Sequence, residues 1–184
     1  MPILKISVLS RKQVEDSIFN FFRLSEKPWA LISIWNVDEL INYEVKQRLE
    51  NLGCVSTLSV CFADLTLDEY KNIKNSGKLF SKEEAQKIIS FVNKINSLEI
   101  PNLIIHCAAG ISRSAAIGLW ACRYLKLDEK DFRKENPQIL PNFYILDVLN
   151  TESMIKKDYM KFWASKEMKN KRNNMIDFIK GGFS

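Results

Sequence analysis

One stretch of this sequence gathers residue types that together can hold an oxyanion and attack it: Leu103-Ile-Ile-His-Cys-Ala-Ala-Gly-Ile-Ser-Arg-Ser-Ala-Ala. The apolar run reads as a buried strand ending at His106 and Cys107, Gly110 marks a short loop, and a helix is expected from about Ser112. Such a strand-loop-helix turn points the N–H groups of Ala108, Ala109, Gly110, Ile111, Ser112 and Arg113 into one hollow, and the helix N-terminus adds a partial positive charge. A cysteine on the floor of that hollow is expected to be acidified, because dipoles that hold an anion also favour a thiolate. Arg113 brings a planar fork of donors that matches two oxygens of a tetrahedral anion. The hydroxyl of Ser114 can reach back to the sulfur.

The string His-Cys-x-Ala-Gly-x-Ser-Arg-Ser from His106 to Ser114 resembles the signature loop of the protein tyrosine phosphatase superfamily, most of all that of dual-specificity phosphatases and their bacterial relatives. The resemblance covers roughly Ile3 to Leu149, is sharp from Leu103 to Ser114 and looser at Phe62 to Asp64. It implies Cys107 as nucleophile, a cysteinyl-phosphate intermediate, Arg113 and the loop from Ala108 to Ser112 as the phosphate cradle, Ser114 as the stabiliser of the leaving thiolate, and His106 as a supporting residue that orients the loop. The leaving oxygen also needs an acid. In the resembled family it is an Asp after the strand preceding the signature strand, and Asp64, 43 residues before Cys107 in a Phe-x-Asp pattern, is the candidate. Asp68 is the rival, otherwise read as a residue of a helix's first turn. The segment Asn136-Pro-Gln-Ile-Leu-Pro-Asn142 resembles one that bacterial relatives carry beneath the site, and Asn142 reads equally well as a helix N-cap.

The implied substrate is phosphotyrosine in a phosphoprotein or phosphopeptide, with phosphoserine and phosphothreonine as further candidates. The uncharged residues from Ala108 to Ser112 disfavour the highly anionic inositol phosphates, for which family members place lysines in the loop. No metal or cofactor is expected. Two other classes remain open: a non-catalytic phosphate-binding module, which would lack an effective acid, and a cysteine-dependent reductase or sulfurtransferase. A reductase needs a resolving thiol, for which Cys61 and Cys122 are available, though both read more simply as core residues.

These side chains need a scaffold. Apolar runs at Ile3 to Leu9, Trp29 to Trp35, Val55 to Phe62 and Leu103 to Cys107 predict strands. Between them, Val14, Ile18, Phe21 and Phe22, then Ile41, Val45 and Leu49 up to Gly53, follow helical spacing. Ser81 and Glu84 form a capping-box pattern before a helix lined by Ala85, Ile88, Ile89, Val92 and Ile95, which Pro101 stops. Alternation of strands with helices predicts an α/β fold with a mostly parallel sheet whose strands are covered on both faces. After Cys107 the pattern is wholly helical, near Ser112 to Leu125, Asp128 to Lys134 and Asn142 to Ala164.

The 184 residues suit one domain, expected over residues 1–164 with a basic segment at 165–184. The net charge of +5 is localised. Lys156, Lys157, Lys161, Lys166, Lys169, Lys171, Arg172 and Lys180 face only Asp158, Glu167 and Asp177, while the rest of the chain is charge-balanced. Nucleic acid is therefore not an expected partner, and this tail reads as an amphipathic helix packed through Met160, Phe162, Trp163 and Met168 in preference to a membrane anchor. Cys54, Cys61, Cys107 and Cys122 show no disulfide or zinc spacing, and the N-terminus lacks the pattern of a signal peptide. A cytoplasmic setting with reduced thiols is the expectation.

Overall fold

The computed structural model describes residue 3 and residues 5–20, 28–36, 48–72 and 77–154. Four strands form close to the apolar runs that predict them: β1 (Lys5–Ser10), β2 (Trp29–Trp35), β3 (Cys54–Cys61) and β4 (Asn102–Cys107). They pair in the order β1-β4-β2-β3, and every pair is parallel. The helices described from end to end are α1 (Arg11–Asn20), α2 (Leu67–Asn72), α3 (Lys82–Ser97), α4 (Arg113–Tyr124), α5 (Glu129–Glu135) and α6 (Phe143–Glu152), and residues 48–51 before Gly53 are helical as well. Every described helix or strand after β4 is a helix, so the α/β architecture with a helical second half is the one found.

The strand order decides what surrounds the site. β4 lies between β1 and β2, with Ser10 opposite Cys107 and Ser33 opposite His106. Ligands of open parallel sheets bind outside the carboxyl ends of the strands, which is where β4 delivers Cys107. Residues 29–34 of β2 and 103–107 of β4 are buried, as strands covered on both faces must be. β3 departs from that expectation: Val55, Thr57 and Ser59 are exposed, because its sequence alternates and it lies at the edge of the sheet as described.

Small residues bring α4 against the sheet. A Cβ on Gly118 would lie 2.9 Å from Val8 Cγ2 and 3.0 Å from the Phe132 ring, so β1 and α5 both close on this helix. Its residues from Arg113 to Cys122 are buried, the pattern of a helix surrounded by protein. On α3, Ala85, Ile88, Val92 and Ile95 are buried as their spacing predicts, together with Glu84 and Phe91, while Ile89 is half-buried. The expected capping box does not close. Ser81 makes no bond to a helix N–H, and its hydroxyl donates to the carboxylates of Glu83 and Glu84.

Asn136 does work that its sequence context conceals. Its Oδ1 accepts from Val8 N–H at 2.7 Å and its Nδ2 donates to the Ile6 carbonyl at 3.2 Å, while Gln138 Nε2 donates to the Val8 carbonyl at 3.0 Å. These amides occupy the open edge of β1, which otherwise presents unpaired backbone groups. The helix expected from Asn142 to Ala164 ends earlier, at Glu152, where Ser153 caps it and Met154 turns the backbone to a φ of +57°. Phe21, Phe22, Ile41 and Val45 lie outside the described residues, as do residues 155–184 with the boundary at 164/165 and the basic tail.

Candidate active site

Cys107 ends β4 with only 2% of its surface exposed. Its Sγ lies 3.1 Å from Ser114 Oγ at the start of α4. Burial pushes the thiol's pKa up, but the Ser114 hydroxyl, the Ser114 N–H, the Arg113 charge and the Gly110 N–H together outweigh it and hold the pKa below the ordinary value. Cys54 and Cys122, where burial outweighs the groups that favour a thiolate, are pushed up to about 11. The acidification expected at Cys107 is thus specific to the loop.

Gly110 is required where it stands. Its φ is +71°, and a Cβ there would lie 2.5 Å from Leu9 C and Ser10 N, inside the backbone at the end of β1. Three backbone bonds fix the loop: Arg11 N–H to the Ala108 carbonyl at 3.2 Å, Leu140 N–H to the Ile111 carbonyl at 2.8 Å, and Asn142 N–H to the Ser112 carbonyl at 3.3 Å. Ser112 precedes α4 without a side-chain cap, so the N–H groups of the first turn face the loop, and that of Ser114 reaches Cys107.

Arg113 is buried, and its Nη1 donates to the Phe62 carbonyl at 2.9 Å and to Asn36 Oδ1 at 2.8 Å. The guanidinium is held by the ends of β2 and β3, and its Nε has no partner among the described residues. Asp64, exposed in the turn after β3, accepts through Oδ1 from Ser112 Oγ at 2.8 Å and from Asn142 Nδ2 at 2.9 Å. Asn142 also caps α6, its Oδ1 accepting from the N–H groups of Tyr144 and Ile145. The N-cap reading is the one found, and the same side chain's Nδ2 faces Asp64. Asp68 falls in the first turn of α2, and its side chain lies outside the described part.

His106 Nε2 pairs with Ser33 Oγ at 2.6 Å, and the edge of Trp35 meets its ring at 5.8 Å. Burial, reinforced by the charges of Arg11 and Arg113, pushes its pKa down to about 4. That keeps the imidazole neutral across the physiological range. Arg11 lies over the Trp35 ring at 4.6 Å.

Sequence reasoning missed Arg11, Ser33, Trp35 and Asn36. Their signal was position: all stand at or just after the C-terminal ends of β1 and β2, where sites of parallel sheets form. Neither proposed resolving thiol reaches Cys107. Cys61 ends β3, and with β2 between them β3 and β4 are about 10 Å apart at the usual ~4.8 Å spacing, beyond the ~7 Å that a disulfide can span. Cys122 lies nine residues beyond Arg113 along α4, about 13 Å at ~1.5 Å per residue. No group of His, Cys, Asp and Glu among the described residues could hold a metal ion.

No known family and no curated protein matches the sequence. Among solved structures, the chain resembles the active form of Tk-PTP at 15% identity and a TM-score of 0.49, covering 82% of this chain and 91% of that one. It resembles PTPMT1 in complex with PI(5)P at 14% identity and a TM-score of 0.49, covering 82% and 90%. A third is the core catalytic domain of the PP-IP phosphatase SIW14 from S. cerevisiae, at 15% identity, a TM-score of 0.41, and coverage of 89% and 86%. Likenesses this distant leave what the chain does to be argued from its own residues.

Proposed function

We propose that this chain is a cysteine-dependent phosphoric monoester hydrolase acting on phosphotyrosine, and alongside it on phosphoserine and phosphothreonine, in phosphoproteins or phosphopeptides. The observation that carries the reading is the convergence on one loop of an acidified thiol, a clamped guanidinium and a carboxylate: Cys107 beside Ser114, Arg113 held by Phe62 and Asn36, and Asp64 tied to the loop's own Ser112.

In the first step the Cys107 thiolate attacks phosphorus in line. The S–P bond forms as the ester P–O bond breaks, the loop N–H groups and Arg113 hold the equatorial oxygens, and Asp64 as the neutral acid gives its proton to the departing oxygen. In the second, the Asp64 carboxylate takes a proton from water as the water oxygen bonds phosphorus. The S–P bond breaks, orthophosphate leaves, and the thiolate returns to the Ser114 hydroxyl and the backbone donors. The positive field for both steps comes from the loop and Arg113. A binding module would need no acid, and Asp64, tethered to Ser112 of the loop and to Asn142 at the start of α6, favours turnover. Because oxidation of Cys107 would end catalysis, the reading includes a reducing, cytoplasmic setting.

The test is hydrolysis of an aryl phosphate with chelator present, vanadate as inhibitor, and a panel of phosphotyrosine, phosphoserine and phosphothreonine peptides with Cys107→Ser as the blank. Asp64→Asn should lower the rate by about 10²- to 10⁴-fold. Undiminished turnover in Cys107→Ser would overturn the mechanism, and a loss of that size in Asp68→Asn, with Asp64→Asn unaffected, would reassign the acid.

A further inference from the structure

The Asp64 turn is gripped from two directions. Ser112 and Asn142 hold the carboxylate, while residues 77–81 hold the backbone behind it. Ala63 N–H donates to the Lys78 carbonyl at 2.8 Å, and the Phe62 ring meets Phe80 edge-on at 4.7 Å. Gly77 comes so close that a Cβ would lie 2.8 Å from Ala63 Cβ.

Residues 77–81 have no regular secondary structure of their own. They are tied down through Glu84, in the first turn of α3 and only 3% exposed, which accepts from Lys78 Nζ and from Ser81 Oγ. Those two donors lie on either side of Phe80, whose carbonyl accepts from Tyr144 Oη at 3.2 Å. Burial pushes the Glu84 carboxyl up, but Lys78 and Ser81 outweigh it and keep its pKa below the ordinary range. A buried carboxylate is costly unless paired and hydrogen-bonded, and the side chains that donate to this one, Lys78 and Ser81, both belong to the segment behind the acid.

We propose that Glu84 is a positioning residue for Asp64: by fixing Lys78 and Ser81 it sets where the Asp64 turn stands over the phosphate loop, so that protonation of the leaving group, and not phosphate binding, depends on it. The proposal rests on the reading of Asp64 as the general acid. The segment 77–81 reaches Arg113 through Phe62, whose carbonyl accepts from Arg113 Nη1, but Asn36 Oδ1 holds that same nitrogen from β2, so phosphate binding depends on Glu84 less than protonation of the leaving group does.

The experiment uses the full chain and two substrates, p-nitrophenyl phosphate, whose leaving group needs little protonation, and phenyl phosphate, whose leaving group needs more. Glu84→Gln should lower kcat/KM for phenyl phosphate about ten-fold more than for the nitrophenyl ester, as a small misplacement of a catalytic group does, with vanadate affinity unchanged. Lys78→Gln, at a half-exposed side chain, should show the same bias and carries the test if Glu84→Gln fails to fold. Hydrogen exchange at the Ala63 amide should accelerate in both variants, a readout independent of turnover. Equal losses on the two esters, weakened vanadate binding or unchanged Ala63 exchange would overturn the role of Glu84 alone. A wild-type chain that hydrolyses neither ester would overturn the phosphatase reading, and this proposal with it.

Discussion

Ser114→Ala probes the thiolate with the smallest possible change, one oxygen deleted from a side chain that is 0% exposed. Its hydroxyl lies 3.1 Å from Cys107 Sγ and is the strongest of the groups that lower that thiol's pKa, while the Ser114 and Gly110 N–H groups and Arg113 persist in the variant. A hydrogen bond to a charged group contributes about 1.5–3 kcal/mol, which converts to roughly 10- to 150-fold in the rate of a step that creates that charge. In the proposed mechanism, breakdown of the cysteinyl-phosphate is such a step. Attack suffers less, because a less stabilised thiolate is also the stronger nucleophile. The intermediate should therefore accumulate, and stopped-flow with an aryl phosphate should show a burst approaching one phenol per enzyme, followed by slow turnover. The sign of the pH effect follows from the wild-type shift. A lowered thiol pKa keeps the thiolate present to lower pH, so removing its cause should move the acid limb of kcat/KM upward. A steady-state rate within about two-fold of wild type, with the acid limb unmoved, would refute the role assigned to Ser114.

Two further outcomes follow from the same geometry. Gly110→Ala must place a Cβ against the backbone of Leu9 and Ser10 at a positive φ, so it should reduce vanadate affinity by at least about ten-fold and lower the thermal midpoint, both measurable by calorimetry. The depressed His106 pKa, about 4 against the ordinary 6.5, makes stability fully present above pH 6.5; it is lost as pH falls towards 4, where the unfolded state binds the proton first, by on the order of 3 kcal/mol in total. Urea midpoints should fall across that window in wild type, and His106→Gln should flatten the fall. An equally steep fall in the variant would assign the acid sensitivity to other groups.

Much of the scaffold was legible because it is local. β2 is the apolar run from Trp29 to Trp35, and α3 buries the face that its spacing marks. Cys107 to Ser114 could be read as one unit because the loop's donors, its cysteine and its serine lie within eight consecutive residues, so their arrangement depends on strand-loop-helix geometry alone. The capping box at Ser81 failed because two acidic side chains in the first turn compete for its hydroxyl, and one of them, Glu84, is drawn inward by Lys78. Covering of both faces failed at β3 because it takes the edge of the described sheet, a position that no strand announces by itself.

What the sequence by itself determined is the loop after β4: that Cys107 has donors around it, that Gly110 lets the chain turn, and that Arg113 and Ser114 follow at the start of a helix. Only the tertiary structure decided how those groups are aimed. Arg113 is clamped by Asn36, 77 positions away, and by the Phe62 carbonyl, 51 away, and Asp64 is tethered to Asn142 across 78. Those distances close because the sheet orders its strands β1-β4-β2-β3 and sets the ends of β1 and β2 beside Cys107. Strand order is a property of long-range packing, in which every strand's apolar surface competes for the same partners, and so no local pattern of residues encodes it.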